Sequence, residues 1–300
     1  MTLEEKRTES NSSLATFDGC PRKYENEYIK RLVPAKEADV LIVGRIGHDA
    51  LEVYYKEGHD AAQEFLTCVP ANDKEDALKA RKIGALLFGY HNYYQNDNII
   101  VLPDTDAVER EFNVPLINPD TKAKSTTVSL VGKVDLIVQT EDGKKWLLDH
   151  KFKGSIGERE HYAINSQSDL YLHSLAQEGI ACEGIIWNII RTPSIRVKKN
   201  ESHDEYIERL RIDTLERPEF YFVRYIMKRW PEEIEETMKD IWLIHKDLLN
   251  SYQAKYFRRS PGECHKYGTC RFLPLCSHSI TGADEFVQKE KRHVELKGAF

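Results

Sequence analysis

No stretch of about 18 or more apolar residues occurs in this 300-residue chain, so no part of it reads as a membrane-spanning helix. The first residues, Met1-Thr2-Leu3-Glu4-Glu5-Lys6-Arg7, carry no apolar signal core, which predicts a soluble, intracellular (cytoplasmic) protein. A Gly-x4-Gly-Lys-Ser/Thr loop is missing, and with it any obvious NTP-driven motor. Internal repeats and low-complexity segments are absent. Positive charge is not in excess either: 43 Lys and Arg face 49 Asp and Glu, a net charge of −6, which argues against a histone-like protein. A local basic groove for nucleic acid remains open, because binding needs a patch rather than a basic total. Cysteine is sparse, six residues in all, and in a cytosolic chain these do not suggest a disulfide framework. What remains, 41% hydrophobic and 31% charged, is a globular chain of one large domain or one domain with appendages.

The most informative segment is Asp149-His150-Lys151, set in the apolar run Trp146, Leu147, Leu148 and Phe152. On a strand Asp149 and Lys151 point to the same face. The preceding run from Val128 to Gln139 is rich in strand formers and contains Gly132-Lys133-Val134-Asp135. Between them Thr140-Glu141-Asp142-Gly143 is turn chemistry. A three-residue loop with Gly143 at positive φ pairs Thr140 with Lys144. That register sets Asp135 opposite Asp149, with Cβ atoms roughly 4.5–5.5 Å apart. Opposed like charges destabilise a hairpin, and a divalent metal would offset them. Mg²⁺ or Mn²⁺ prefers such oxygen ligands, the backbone carbonyl of His150 included. A metal-bound water would then be a nucleophile, with Lys151 orienting it or countering developing charge. A surface hairpin with a salt bridge is the plain alternative.

The rest of the pattern alternates helices with strands. Ser12 or Ser13 opens a helical pattern carrying Leu14, Phe17, Tyr24, Tyr28 and Ile29, interrupted at Gly19-Cys20-Pro21. Further helices are expected over about 44–56, 73–95, 161–177 and 205–211, and from Pro231 with the stripe Ile234, Met238, Ile241, Leu248 and Tyr252. Strands are expected over 108–116, 128–139, 145–152 and 184–191, with Phe220-Tyr221-Phe222-Val223 a further candidate. The charged end, Asp284 to Lys297, reads as a frayed tail. This is an α/β core.

Several side chains look out of place for packing alone. Gln167 lies in the apolar stripe Ile164, Gln167, Tyr171 and Leu175, so its amide needs a partner: the lysine, a metal-bound water, the substrate, or another helix. His48 shares a face with Leu51 and Tyr55, where a satisfied core histidine is the usual reading. It becomes a ligand candidate if its helix crosses the mouth of the hairpin. Glu109 and Glu111 rank below it, since an exposed strand face explains them. Cys264, Cys270 and Cys276 are evenly spaced in a turn-rich segment, and Cys20 is the natural fourth ligand. Their five-residue gaps do not match the short hooks of structural zinc. Iron–sulfur ligation suits them better. Closing the chain between Cys20 and Cys264 is worth about 5 kcal/mol on the chain-entropy model, so the group reads as a staple. Cys68 and Cys182 read as ordinary core thiols. Lys30, Arg31, Arg196, Lys198, Lys199, Arg258, Arg259 and Arg271 are candidates for a phosphate groove.

Together these residues resemble the PD-(D/E)XK nuclease superfamily, specifically its RecB-like branch with the CRISPR-associated iron–sulfur exonucleases. Ser13-Leu14 and Cys20-Pro21-Arg22-Lys23-Tyr24 match the N-terminal cysteine motif, and Gly44 to His48 the helix with the metal-binding histidine. Gly132-Lys133-Val134-Asp135, Asp149-His150-Lys151 and Gln167-x3-Tyr171 follow in family order, then the C-terminal cysteines. The resemblance implies a restriction-endonuclease-like mixed β-sheet core flanked by helices, with an iron–sulfur lid formed by the N- and C-terminal segments. It implies a single domain over residues 1–280, with its core at about 44–200, lid parts at 12–32 and 201–278, and a charged tail at 281–300. Metal ligation falls to His48, Asp135, Asp149 and the His150 carbonyl. Catalysis falls to Asp135, Asp149 and Lys151 with Gln167 and Tyr171. A 4Fe–4S cluster falls to Cys20, Cys264, Cys270 and Cys276, with zinc the lesser alternative. The implied activity is a Mg²⁺- or Mn²⁺-dependent DNA exonuclease acting on single strands or duplex ends, with a helicase or recombinase as a further partner. The rival is a non-catalytic iron–sulfur DNA-binding subunit. Two departures stand out. Many relatives place two C-terminal cysteines only two residues apart, and several have Glu where Asp149 stands.

Overall fold

A computed structural model describes residues 7–35, 39–70, 74–102, 105–266, 268–277, 286–293 and 296 of the chain. In chain order its elements are β1 (Arg7–Glu9), α1 (Asn11–Gly19), α2 (Pro21–Tyr24, continuing as a π-helical turn over Glu25–Ile29), β2 (Leu32–Pro34), α3 (Asp39–Glu57), α4 (His59–Cys68) and α5 (Lys74–Tyr94). Then come β3 (Ile99–Val101), β4 (Val108–Ile117), β5 (Lys124–Thr140), β6 (Lys145–Lys153), α6 (Arg159–Ala163), α7 (Ser166–Gln177) and β7 (Gly184–Arg191). The last are α8 (His203–Glu216), α9 (Pro218–Tyr221), β8 (Phe222–Lys228), α10 (Pro231–Gln253), α11 (Leu273–Cys276) and β9 (Phe286–Gln288).

Seven of these strands form one mixed sheet, and β5 is its spine. Its Val- and Leu-rich sequence is buried from Val128 to Val131 and again from Val134 to Val138, as a strand covered on both faces requires. Along one edge β5 pairs with β4 and then β3; along the other it pairs with β1 and then β6. β6 continues to β7 in parallel, and β8 closes that side in antiparallel. The β5–β6 turn is the one its sequence called for: Gly143 sits at φ +79°, and Thr140 N–H donates to Lys144 O at 3.0 Å. Leu14 of α1, Leu170 and Leu175 of α7, and Met238 and Ile241 of α10 cover one face of the sheet. Ile46 and Leu51 of α3, Leu66 of α4, Ile83 and Leu86 of α5, and Leu210 of α8 pack together with Ile190 and Phe222 on the other. The architecture is thus a mixed α/β fold, a central sheet flanked by helices.

Four expectations need correction. The helix over 44–56 is followed by an unforeseen one, α4, because Gly58 at φ +98° turns the chain and lets Ala62 and Leu66 pack inward. The expected helix over 161–177 is two, since Asn165 ends the first and N-caps the second by accepting from Gln167 N–H at 2.9 Å. Phe220 and Tyr221 belong to α9, and the strand starts at Phe222. Cys68 is exposed rather than a core thiol.

The charged tail is also docked where it is described; residues 281–285, 294–295 and 297–300 lie outside the described residues. β9 pairs with β2, His293 and Leu296 are buried, and Arg292 Nη2 lies 2.7 Å from Glu9 Oε1. Glu9, 1% exposed, also accepts from Ser13 Oγ and Tyr24 Oη, each at 2.7 Å. Removing the guanidinium strands a buried carboxylate. Arg292→Ala should therefore cost about 3–5 kcal/mol in a denaturant melt, against almost nothing for exposed Lys291→Ala. His245, the polar member of the α10 stripe, has its pKa pushed down to about 4, by burial first and then by Arg7, with Glu9 opposing. The unfolded chain takes up that proton near pH 6.5, roughly its ordinary value, so stability should fall as pH drops from there toward 4. Melts of the His245→Leu variant over that window should show a shallower fall.

Candidate active site

β6 runs antiparallel to β5 only as far as the Leu136–Leu148 pair and then follows β7. One residue further the register sets Asp135 against Asp149, but no rung forms there. The strands part, and the Asp135 carboxylate fills the gap: its Oδ2 accepts from the backbone N–H of His150 at 2.7 Å. A side-chain acceptor thereby satisfies a buried amide that the ladder leaves open.

Asp149 and Lys151 share the face covered by α7. Lys151 Nζ lies 2.6 Å from Asp149 Oδ2 and donates to Gln167 Oε1 at 3.1 Å, while Gln167 Nε2 donates to Asp149 Oδ1 at 3.0 Å. The three side chains close a triangle over the fully buried Trp187, whose ring centroid is 5.2 Å from the ammonium. The Gln167 amide, out of place on an apolar stripe, has both its partners here. Tyr171 does other work: its ring stands edge-on to Phe112 at 5.3 Å and closes over Gly132, where a Cβ would lie 3.1 Å from Tyr171 Cε1.

His48 reaches the fork because residue 47 is glycine. A Cβ there would stand 2.3 Å from the Phe152 ring, so only glycine lets α3 lie this close to β6. His48 Nδ1 is 3.5 Å from Asp135 Oδ2. Glu109 joins them, and one ligand atom from each of His48, Glu109 and Asp135 lies within 4.8 Å of the others. Glu109 has φ +57°, a left-handed conformation that costs a non-glycine residue about 1–2 kcal/mol. It sits between the Val108–Leu136 and Arg110–Val134 pairs and ion-pairs with Lys133. Asp149 stands outside this trio, its oxygens engaged by Lys151 and Gln167. The His150 backbone faces Asp135, and the His150 ring stands edge-on to His48 at 6.3 Å. That ring also stacks on Tyr55 at 5.5 Å, and Nδ1 lies 2.7 Å from Asn188 Nδ2.

The charges are unequally settled. Burial favours the neutral acid at Asp135, but His48, with His150 and Lys151 adding, outweighs it and holds the carboxyl well below its usual range. At Asp149 burial, reinforced by Asp135, prevails over Lys151 and pushes the carboxyl up. Glu109 is raised too, by burial and then Asp135, against Lys133. Burial disfavours protonation of His48, yet Asp135 raises it overall. Burial keeps the His150 ring neutral, its pKa down to about 3. Crowded carboxylates, two of them raised by burial and by the Asp135 charge, beside an imidazole are a donor set that fits a hard divalent cation.

Neighbouring elements pin these groups. Asp169 of α7, 1% exposed, accepts from Arg229 Nε at 2.7 Å and Nη2 at 2.6 Å and from Thr237 Oγ1 at 2.6 Å. Behind β6, Asn188 donates to Tyr90 Oη at 3.1 Å and accepts from Arg224 Nε at 3.1 Å. Sequence reasoning missed this network, though Asn188 in an otherwise apolar run, Ile185 to Ile190, was a usable signal. It also placed Glu109 too low, since only the β4–β5 register brings that residue to Asp135.

Cys20, Cys264, Cys270 and Cys276 are free thiols, all partly buried. Burial raises Cys264, with Cys270 and Cys20 adding; burial raises Cys276, with Cys20 and Cys270 adding. Among the described residues no three of these sulfurs lie within 4.8 Å of one another.

Gly47→Ala should force α3 away from Phe152. A melting temperature lowered by the equivalent of about 1–3 kcal/mol is expected, with partial recovery on adding Phe152→Leu.

No curated protein matches the chain. The crystal structure of SSO0001 aligns at 18% identity over 72% of this chain and 78% of that one, with a TM-score of 0.27, too loose a superposition to bear on the site. A family model describing the PD-(D/E)XK nuclease superfamily matches residues 8–277, a span that includes the fork, α7 and the four grouped cysteines. The chain belongs to the PD-(D/E)XK nuclease superfamily.

Proposed function

We propose that the chain is a divalent-metal-dependent DNA exonuclease of the RecB-like type, folded as one domain over residues 1–280 with a charged tail. The observation that carries this reading is the closed triangle of Asp149, Lys151 and Gln167 beside the trio of His48, Glu109 and Asp135. Mg²⁺ or Mn²⁺ would be held by His48, Asp135, Asp149 and the His150 carbonyl, with Glu109 adjacent. When bound, such an ion makes a coordinated water nucleophilic near neutral pH and neutralises charge on a phosphoryl oxygen. Lys151 would present its ammonium group where negative charge develops during phosphodiester hydrolysis. Gln167 fixes the lysine and the carboxylate in one geometry, and Asp169 with Arg229 fixes the helix that carries Gln167. Tyr171 holds the same helix to β4 and β5.

The four cysteines would carry a 4Fe–4S cluster that staples the two ends of the chain over the core. Substrates would be DNA single strands or duplex ends, and a helicase or recombinase would be the natural supplier of unwound DNA.

Digestion of end-labelled single- and double-stranded DNA by anaerobically purified protein, with Mg²⁺ or Mn²⁺ and a chelator control, tests the activity. Lys151→Ala should lower the cleavage rate by about 10²–10³-fold or more, and because it strands the buried Asp149 carboxylate it should also lower the melting temperature without unfolding the protein. Full activity in that variant would remove the site assignment, and no cleavage by the intact protein would favour a non-catalytic DNA-binding subunit. Separately, Cys270→Ser should lose solubility together with absorbance near about 400 nm. A stable, colourless Cys270→Ser protein that cuts DNA normally would end the staple proposal.

A further inference from the structure

Beside the cysteines lies a cavity of about 480 Å³, open to solvent, whose walls include Arg22, Asn26, Lys30, Tyr256, Arg259 and Cys276. Its cations are only partly neutralised. Glu25 serves two of them at once, Arg22 at 3.0 Å and Lys30 at 3.1 Å, so one carboxylate answers two positive charges. Arg259 spends one N–H on the neutral carbonyl of Cys276, at 3.1 Å. The wall therefore keeps a positive excess in a chain whose net charge is −6. Tyr256, 59% exposed, offers an aromatic face to the same space, with the Arg22 guanidinium 5.5 Å from its ring centroid. Arg22 also pins the loop that carries Tyr256 and Arg259, its Nε donating to Phe257 O at 3.0 Å and its backbone N–H to Arg258 O at 2.9 Å.

We infer that this cavity seats the phosphodiester backbone of a single-stranded nucleic acid, with Tyr256 as the stacking platform for one base. The inference rests on the nuclease reading above and adds to it a strand contact on the cysteine-bearing ends. Guanidinium and ammonium groups answer phosphate oxygens, and an exposed ring answers a base that is not paired. A duplex would have no free base for the ring. The cations are also tied to the cysteines: Arg22 stands two residues after Cys20, and Arg259 is held by the carbonyl of Cys276. Loss of the cysteine group should therefore loosen strand binding without touching Asp149 or Lys151.

Fluorescence anisotropy of a labelled oligothymidylate of about 12 nucleotides, titrated with the full chain in buffer free of divalent metal, tests this apart from catalysis. Tyr256→Ala and Arg259→Ala should each weaken binding by about tenfold. Arg259→Ala should also lower the slope of log affinity against log salt by about 0.7, one phosphate contact on a single strand. Lys144→Ala, exposed on the β5–β6 turn and outside the cavity lining, should leave binding unchanged. Both side chains changed in the first two variants are reached by solvent, and an unchanged melting temperature confirms folding. Binding unmoved in Tyr256→Ala and Arg259→Ala would overturn the inference, as would wild-type protein that does not bind. Competition by polyglutamate as strong as by oligothymidylate would assign the cavity to an acidic peptide instead. Strand binding that responds to these variants in a protein that cuts no DNA with Mg²⁺ or Mn²⁺ would sink the hydrolytic reading and leave the cavity's assignment supported.

Discussion

The site depends on one hydrogen bond, from the His150 backbone N–H to the Asp135 carboxylate. β6 needs partners on both edges, yet it leaves β5 at Leu148 to run beside β7. Some donor and acceptor groups must then go without ladder partners at the point of parting. Burying an unpaired amide there would cost about 1–3 kcal/mol, and the Asp135 side chain removes that penalty. The same carboxylate is held ionised by His48. A structural requirement of the sheet and the charge that a cation needs are met by one side chain, so the fork cannot be tightened into an ordinary rung without losing the site.

The hairpin was legible because its information is local. Gly143 supplies the positive φ, the loop length sets the register, and the register sets which residues face each other. β7 was legible over Gly184–Arg191 for a similar reason, as a short apolar run bounded by turn residues. The fork was not legible, since it depends on long-range pairing: β5 stops at Leu148 on one edge of β6, while on the other edge β7, some 35 residues further along the chain, continues to Lys153. Glu109 was undervalued for the same cause: alternation with Glu111 looks like a solvated face until β4 is laid on β5. The tail misled by composition. A run of charges suggests solvent, but Arg292 is drawn inward by a single buried acid, Glu9, that no local pattern exposes.

The termini contribute more than their short elements suggest. β1 adds to the sheet beside β5, α1 packs on the same face as α7, and Ser166 of α7 donates to Asn11 Oδ1 at 3.0 Å. Cys20 begins the next turn, and the pairing of β2 with β9 brings the chain's end to that region. Arg292 and Glu9 then join the C-terminal segment to β1. The N-terminal segment is thus fixed to α7, the helix that aims Gln167, before any cysteine ligand is considered. A thiolate-bound group on the four cysteines would reinforce a closure that hydrogen bonds and one buried ion pair already begin.

The opposite shifts of the two aspartates divide their labour. Asp135 receives an imidazole and a backbone N–H, which hold its carboxyl well below the usual range. Asp149 is buried beside that charge, with its own carboxyl pushed up, and is kept usable by the ammonium of Lys151. Pairs of acids whose environments drive them apart are the usual mark of acid–base or ligand specialisation. Here the arrangement also explains why Lys151 needs Gln167. An ammonium free to swing toward solvent would leave Asp149 uncompensated, whereas the amide, holding both partners from the far side, keeps the compensating charge in place when the face opens to a substrate.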